Sequence, residues 1–377
     1  MESIPYIVVL TGAEAVIGEP RNPNPLHLFM SYGWKTIHMK NTRAFFKTTL
    51  IAASLSLISF TSQAADISSR NLKMPIVNAI DHPQGIGAKV FVDEVAKHSD
   101  NKIKIKIFPN GTLGGEQQVA SAMQGGTIEI SMMSPAQIVG TIPEFVALDF
   151  PFSFKNTAQA DAVLDGPFGQ KLLDYMPAKG WVGLAYMEQG YRSISNNKHP
   201  ITKLEDVKGL KIRTILNPLY VDTFNALGAN AVPLPMPELY TAMETRTVDG
   251  QENPETSVDA NKYYEVQKYF SGTRHIYNPQ LLMVSKKLWD KLSDDEKKIF
   301  KDASIVARDA QRKAARDMTE VSRKNLIEKG MQLNELSPEE IERMRVAVEP
   351  VTQKYAAKLD PALLKQFKDE LERTKDL

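Results

Sequence analysis

An α/β fold is predicted for most of this chain by three observations. Apolar residues alternate at strand period and recur at helical period in successive stretches between residues 72 and 132 and again between 181 and 253. Gly, Pro and Asn punctuate the joins. From Ser293 onward no glycine or proline interrupts the chain until Gly330, which predicts one helix of about 35 residues and roughly 50 Å, longer than a single domain is wide. No repeat or low-complexity linker separates the parts, so the domains are expected to interleave.

The elements follow in order. Leu72 to Ala79 reads as a strand, with Pro75 at its edge or start. Ile86, Val90, Phe91 and Val95 then recur at helical spacing, and Ile103, Ile105 and Ile107 alternate with Lys102, Lys104 and Lys106, completing a βαβ unit. Asn110-Gly111 breaks it, a short helix covers Gln117 to Gln124, and Ile128 to Met132 is a strand. Ser134 then opens a helix. It sits where open α/β sheets bind ligands, although a plain helix N-cap has the same sequence appearance.

In the middle of the chain, Trp181 to Met187 and Gly209 to Arg213 read as strands, Pro218 to Ala226 as a helix, and Asn230 to Leu234 as strand-like. Pro237 to Thr245 is a helix and Val248 to Asn253 returns to the sheet. Ser293-Asp294-Asp295-Glu296 and Ser337-Pro338-Glu339-Glu340 are capping boxes that open the C-terminal helices.

The N-terminus reads as an address label. Met39 precedes a basic head (Lys40, Arg43, Lys47), an apolar run from Thr48 to Phe60, and the small-residue site Ser62-Gln63-Ala64. The run is roughly a dozen residues, short of the 18 or more of a spanning helix. Residues 39–64 are therefore expected to be an export signal cleaved after Ala64, with the periplasm as destination. Residues 1–38 are expected to be a non-native upstream extension.

The chain holds 46 basic and 45 acidic residues. Without the five basic and three acidic residues of positions 1–64, the balance is 41 against 42, a net charge of −1. Such a surface argues against nucleic acid and offers no polybasic membrane patch. There is no cysteine, so disulfides, thiolate metal sites, lipid attachment and a cysteine nucleophile are excluded.

Catalytic patterns are weak. Only His82, His98, His199 and His275 follow residue 64, and no two have metal-ligand spacing. No cofactor fingerprint, P-loop or nucleophile elbow appears, and Ser195-Asn196-Asn197-Lys198 lacks the motifs that accompany an acylating Ser-x-x-Lys. No cofactor and no metal are expected. Arg213, at a strand end, can offer a two-pronged donor to a carboxylate, and Arg192 follows another strand that reaches the same region. The competing reading pairs each arginine with a surface acid such as Glu205 or Asp206.

The block from Gly209 to Pro254 resembles the solute-binding component of tripartite ATP-independent periplasmic (TRAP) transporters, of the DctP type. It includes Leu227-Gly228-Ala229-Asn230, Pro233-Leu234-Pro235-Met236-Pro237-Glu238-Leu239-Tyr240 and Val248-Asp249-Gly250-Gln251-Glu252-Asn253-Pro254. Leu113-Gly114-Gly115-Glu116, Gly125-Gly126-Thr127-Ile128-Glu129 and Tyr264-Glu265-Val266-Gln267-Lys268-Tyr269 extend the resemblance over nearly the whole chain after residue 64.

The resemblance implies a type II-like two-lobed periplasmic binding fold, with crossover strands and a long C-terminal bridging helix. The expected lobes are 65–189 plus 279–318 and 190–278 plus 319–377. It implies that Arg213 holds the ligand carboxylate, that Arg192 and Asn253 complete the grip, and that Asn78, His82, Ser134 and Met236 contribute. Sialic-acid binders of the family carry an acid where Ser134 falls, which disfavours sialate. A sugar acid such as a uronate or diketogulonate, or a C4-dicarboxylate, is expected. The implied partners are small and large membrane permease subunits, served by a monomeric binder. The competing classes are an extracytoplasmic ligand-sensing adaptor and a secreted two-lobed hydrolase using Glu238 or Glu252.

Overall fold

The computed structural model describes residues 66–377. The expectations for residues 1–38 and for the signal at 39–64 lie outside the described residues. In chain order the elements are β1 (Arg70–Pro75), α1 (Pro83–His98), β2 (Ile103–Phe108), α2 (Glu116–Gly125), β3 (Ile130–Met133), α3 (Thr157–Leu164), α4 (Pro167–Leu173) and β4 (Trp181–Asn196). Next come β5 (Lys211–Thr214), α5 (Pro218–Ala226), β6 (Asn230–Pro233), α6 (Leu239–Glu244), β7 (Gly250–Asn253) and α7 (Glu255–Ala260). The chain ends with β8 (Tyr269–Ser285), α8 (Lys286–Trp289), α9 (Asp294–Glu328), β9 (Gln332–Glu335), α10 (Pro338–Ala356) and α11 (Pro361–Arg373).

The opening βαβ unit forms as its periodicity dictates. Ile103 and Ile105 are buried while Lys104 and Lys106 face water, and β2 lies parallel to β1 from Arg70↔Ile103 to Pro75↔Phe108. The first strand stops at Pro75 and does not continue to Ala79. There the Asn78 backbone N–H donates to the Gln84 side chain, which takes it out of any ladder.

Two long antiparallel strands carry the architecture. β4 runs unbroken through the segment read as a strand to Met187 followed by Gly190-Tyr191-Arg192-Ser193, and β8 is its partner. Trp181–Met187 pairs with Gln280–Ser285, beside β3, in the first lobe. Ser193–Asn196 pairs with β7, and Tyr269–Gly272 pairs with β9, in the second. The resulting sheet has the order β3-β8-β4-β7-β5-β6.

Between the lobes the ladder slips twice, at Glu188/Gly190 opposite Pro279/Asn278 and at Arg192/Ile194 opposite Ile276/Ser271. Pro279 brings no donor, and the residues skipped on β8 include Arg274, held at φ 44°. These slips loosen the two crossovers at the same level, as a hinge requires.

Helix α9 is the predicted 35-residue helix. Its capping box at Ser293 and Glu296 is complete, and its buried positions (Phe300, Ala303, Ala307, Gln311, Ala315, Ser322, Leu326) recur at three-, four- and seven-residue spacing. It packs on α1 in the first lobe and on α7 in the second. Gly87 of α1 lets the helices touch, since a Cβ there would lie 2.5 Å from Gln311 Cγ. The Gln311 amide in turn brackets the Glu188 backbone, accepting from its N–H at 2.8 Å and donating to its carbonyl at 2.6 Å, where the ladder slips. Ser337 caps α10, but Glu340 departs from the expected box: its carboxylate takes the Leu204 N–H and pairs with Arg343.

Cores lie on each side of the sheet in the first lobe, around Phe91, Met187 and Phe300 and around Phe145, Phe168 and Trp181. Smaller cores in the second surround Ile212 and Phe224, and Met243 and Phe270. α11 packs back on the chain before β4, where Phe367 lies on Phe150, Phe154 and Phe168.

Candidate functional site

The strand that delivers Arg213 is short and buried, with Ile212 in the core and Arg213 only 2 % exposed. Nε and Nη2 both donate to the Leu234 carbonyl, at 2.8 and 2.6 Å, which fixes the fork without neutralising it. No described acid forms an ion pair with it, so burial pushes its pKa down. Arg213 is a desolvated cation facing a small cavity between the lobes, together with Arg192, Asn253, Ser134 and Met236.

Arg192 behaves differently. Its Nε and Nη2 grip the Glu252 carboxylate, with Nη2 to Oε1 at 2.8 Å, and His275 Nε2 lies 3.3 Å from the same carboxylate. All three are buried. Although burial alone would raise it, the Arg192 charge and the bonds from His275 and Arg192 hold Glu252 down at about 2. Nη1 points toward Asn278 at 3.4 Å, and the Tyr220 ring lies 5.8 Å from the guanidinium.

Ser134 fills both roles that its sequence context allows. It caps the turn Pro135–Ile138 through its Oγ, which also accepts from Asn278 Nδ2 at 2.9 Å, and it lines the cavity. Asn253 donates to Gln251 at 2.5 Å and turns its remaining face inward.

Asn78 and His82 do not line the cavity; they join the lobes beside it. Asn78 Oδ1 accepts from Asn261 at 3.2 Å. His82 caps α1, with Nδ1 accepting the Gln84 N–H at 3.0 Å. That leaves the ring proton on Nε2, donated to Ser257 Oγ at 3.2 Å. A chain of amides, Gln84 to Gln280 to Gln189, continues to Ser257.

Complete burial, which penalises the charged imidazolium, lowers His82 to about 3. Its neutral-form stability is full above the ordinary value of 6.5 and is lost as pH falls toward 3. Glu116 and Asp149, both raised to about 7 by burial, titrate with the opposite sign, so a comparison with His82→Asn isolates the histidine. Between pH 7.5 and 5.5 the wild type is expected to lose about 1.4 kcal/mol more than the variant, measured by denaturant unfolding.

The cavity has a volume of about 20 Å³, room for about one water, so a larger ligand requires the lobes to part. A second hollow of about 160 Å³ adjoins it and shares Glu116, Gln137 and Met236. Its rim is sealed where the loop before α2 meets the Pro233–Pro237 run: a Cβ on Gly115 would lie 3.2 Å from Pro235 Cβ. Gly115→Ala is expected to cost the closed form about 1 kcal/mol and to speed ligand release roughly fivefold, read by stopped-flow. Hollows of about 770 Å³ elsewhere, such as that at Lys198, Tyr240 and Arg246, share no lining residue with the Arg213 cavity.

Sequence reading does not anticipate Glu116, Gln137, Gln189, Asn278 and Gln280 in the cavity wall. Glu116 stands in the Leu113–Glu116 motif, just ahead of the helix read from Gln117; Asn278 and Gln280 fall on β8, whose polar positions carry no motif. Ser195 and Lys198 do not meet: Ser195 is bonded to Gln251 and Gln267, and Lys198 pairs with Asp249. Glu238 is exposed and Glu252 is held by Arg192, so they form no acid–base pair. No acidic or histidine cluster suited to a metal occurs among the described residues.

Two lobes on paired crossover strands, spanned by one helix and with a cavity between them, define the architecture of a two-lobed solute-binding protein. The chain belongs to the bacterial extracellular solute-binding protein family 7, whose model matches residues 76–359, and is a TRAP transporter binding protein rather than an enzyme. It is 38% identical over 264 residues to the 2,3-diketo-L-gulonate-binding periplasmic protein of Escherichia coli K12, covering 70% of this chain and 79% of that one. It is 30% identical over 314 residues to the C4-dicarboxylate-binding periplasmic protein of Vibrio cholerae, covering 81% and 93%. The sugar acid binding protein of Advenella mimigardefordensis, solved with galactonate, superposes with a TM-score of 0.80 at 42% identity over 82% of this chain and all of that one. Proteins of this family are periplasmic and serve a membrane permease with a small acid ligand.

Proposed function

We propose that this protein captures a small organic acid, a sugar acid or a C4-dicarboxylate, by closing its lobes so that Arg213 pairs with the ligand carboxylate. The observation that carries this reading is the buried Arg213 guanidinium, oriented by Leu234 and without an acidic partner among the described residues. Arg192 Nη1, Asn253 and Ser134 complete the polar lining, and Met236 forms an apolar wall. Asn78 and His82 act on closure.

In this reading the lobes are 65–189 plus 279–318 and 190–278 plus 319–377, with the helix at Pro361–Arg373 seated against the first. The division coincides with the ladder slip at Glu188/Gly190. The export signal at 39–64 directs a monomer to the periplasm, where it delivers the acid to a small and a large permease subunit. A thermal-shift screen of organic and sugar acids, followed by calorimetry and product analysis, tests it. Stabilisation by an acid recovered unchanged is expected; turnover, or indifference to every acid, overturns it.

A further inference from the structure

We propose that Glu116 counts the charges on the ligand: it selects an acid with one carboxylate and a hydroxyl over the dicarboxylate of the same length. The inference rests on the reading that Arg213 holds the ligand carboxylate. Glu116 opens α2 from the first lobe, and its Oε1 accepts the Ser134 N–H at 3.2 Å. Its carboxyl lies at the junction of the Arg213 cavity and the adjoining hollow, so a ligand reaching outward from Arg213 passes it.

The cavity's charges then decide the class. The positive charge of Arg192 is already matched by Glu252, which leaves Arg213 as the one unmatched cation and Glu116 as the acid facing it. A monocarboxylate satisfies Arg213, and a hydroxyl further along donates to Glu116. A second carboxylate would meet Glu116 with no cation left to pair it, a like-charge contact that costs several kcal/mol. It could bind only with Glu116 protonated. The charged groups acting on Glu116 are Arg192 and Arg213; Gln137 and Ser134 are neutral donors. Burial brings the carboxyl to about 7, so proton uptake is within reach near neutrality.

The test is calorimetric titration of the wild type and Glu116→Gln with three matched pairs: galactonate and galactarate, erythronate and meso-tartrate, 4-hydroxybutyrate and succinate. For the pair that binds, the wild type at pH 8 is expected to prefer the monocarboxylate by about tenfold, the cost of protonating a carboxyl of about 7 at that pH. Glu116→Gln should narrow that ratio by up to about tenfold, and so should lowering the pH to 6 for the wild type, by tightening the dicarboxylate. A dicarboxylate bound equally or better by the wild type at pH 8 overturns the inference while leaving the Arg213 reading standing, as does a ratio unmoved by both the substitution and the pH. Absence of binding by all six acids overturns both. If Glu116→Gln does not fold, the wild-type ratio and its pH dependence decide alone.

Discussion

Replacing Arg213 by methionine is expected to lower affinity for any bound acid by 10²-fold or more, while unfolding free energy of the ligand-free protein changes by about 1 kcal/mol or less. The two halves of this expectation share one cause. Truncating one partner of a buried, hydrogen-bonded charge pair costs about 2–5 kcal/mol or more, and Arg213 acquires its partner only when the ligand enters. In the ligand-free protein it is a desolvated cation held only by the Leu234 carbonyl. Removing an unpaired buried charge relieves a penalty, which offsets the loss of two hydrogen bonds to that carbonyl. Arg213→Lys should also bind weakly, since an ammonium cannot reproduce the two-pronged contact. Near-wild-type affinity in calorimetry for the methionine variant would refute the assignment. So would a collapse in stability, because it would make Arg213 a structural residue.

How much of this was legible in the sequence follows from how local each determinant is. The alternating Ile103-Ile105-Ile107, the capping box at Ser293 and the uninterrupted run to Glu328 are short-range signals, and the structure follows them. The crossover β4 was read in part because Gly190 and the polar residues around it imitate a turn. Its continuation depends on β8, more than 70 residues away, which supplies the paired backbone. The same distance hides the pairing of Arg192 with Glu252, which lie 60 residues apart on strands that become neighbours only in the fold. Arg213 and Arg192 look alike in sequence. What separates them is that Glu252 faces one, while the Leu234 carbonyl faces the other. His82 likewise carries no sign in its own segment that Ser257 will close over it.

Glu252→Gln is expected to destabilise the ligand-free protein by about 3–5 kcal/mol, the cost of leaving a buried charge without its counterion. The charge left over is Arg192, fully enclosed, with Asn278 at 3.4 Å as its remaining side-chain acceptor. His275 loses its carboxylate neighbour as well. The double variant Glu252→Gln/Arg192→Met removes the orphaned charge and should recover most of the loss, giving a coupling of about 3 kcal/mol in a double-mutant cycle by urea unfolding. Additive effects would show that the pair is not coupled. The pH dependence gives a second reading with a definite sign. Glu252 is held below its ordinary 4.5, at about 2, so its contribution is present above 4.5 and is lost as pH falls toward 2. The acid limb of the wild-type stability curve in that window should therefore flatten in Glu252→Gln. Asp149 beside the same arginine is raised to about 7 by burial and acts with the opposite sign, mainly between 7 and 4, outside most of that window. Because Glu252 also keeps Arg192 from competing for anions, the single variant should gain more stability from saturating dicarboxylate than the wild type does. The gain comes from the Arg192 fork, which, freed of Glu252, turns to the second carboxylate.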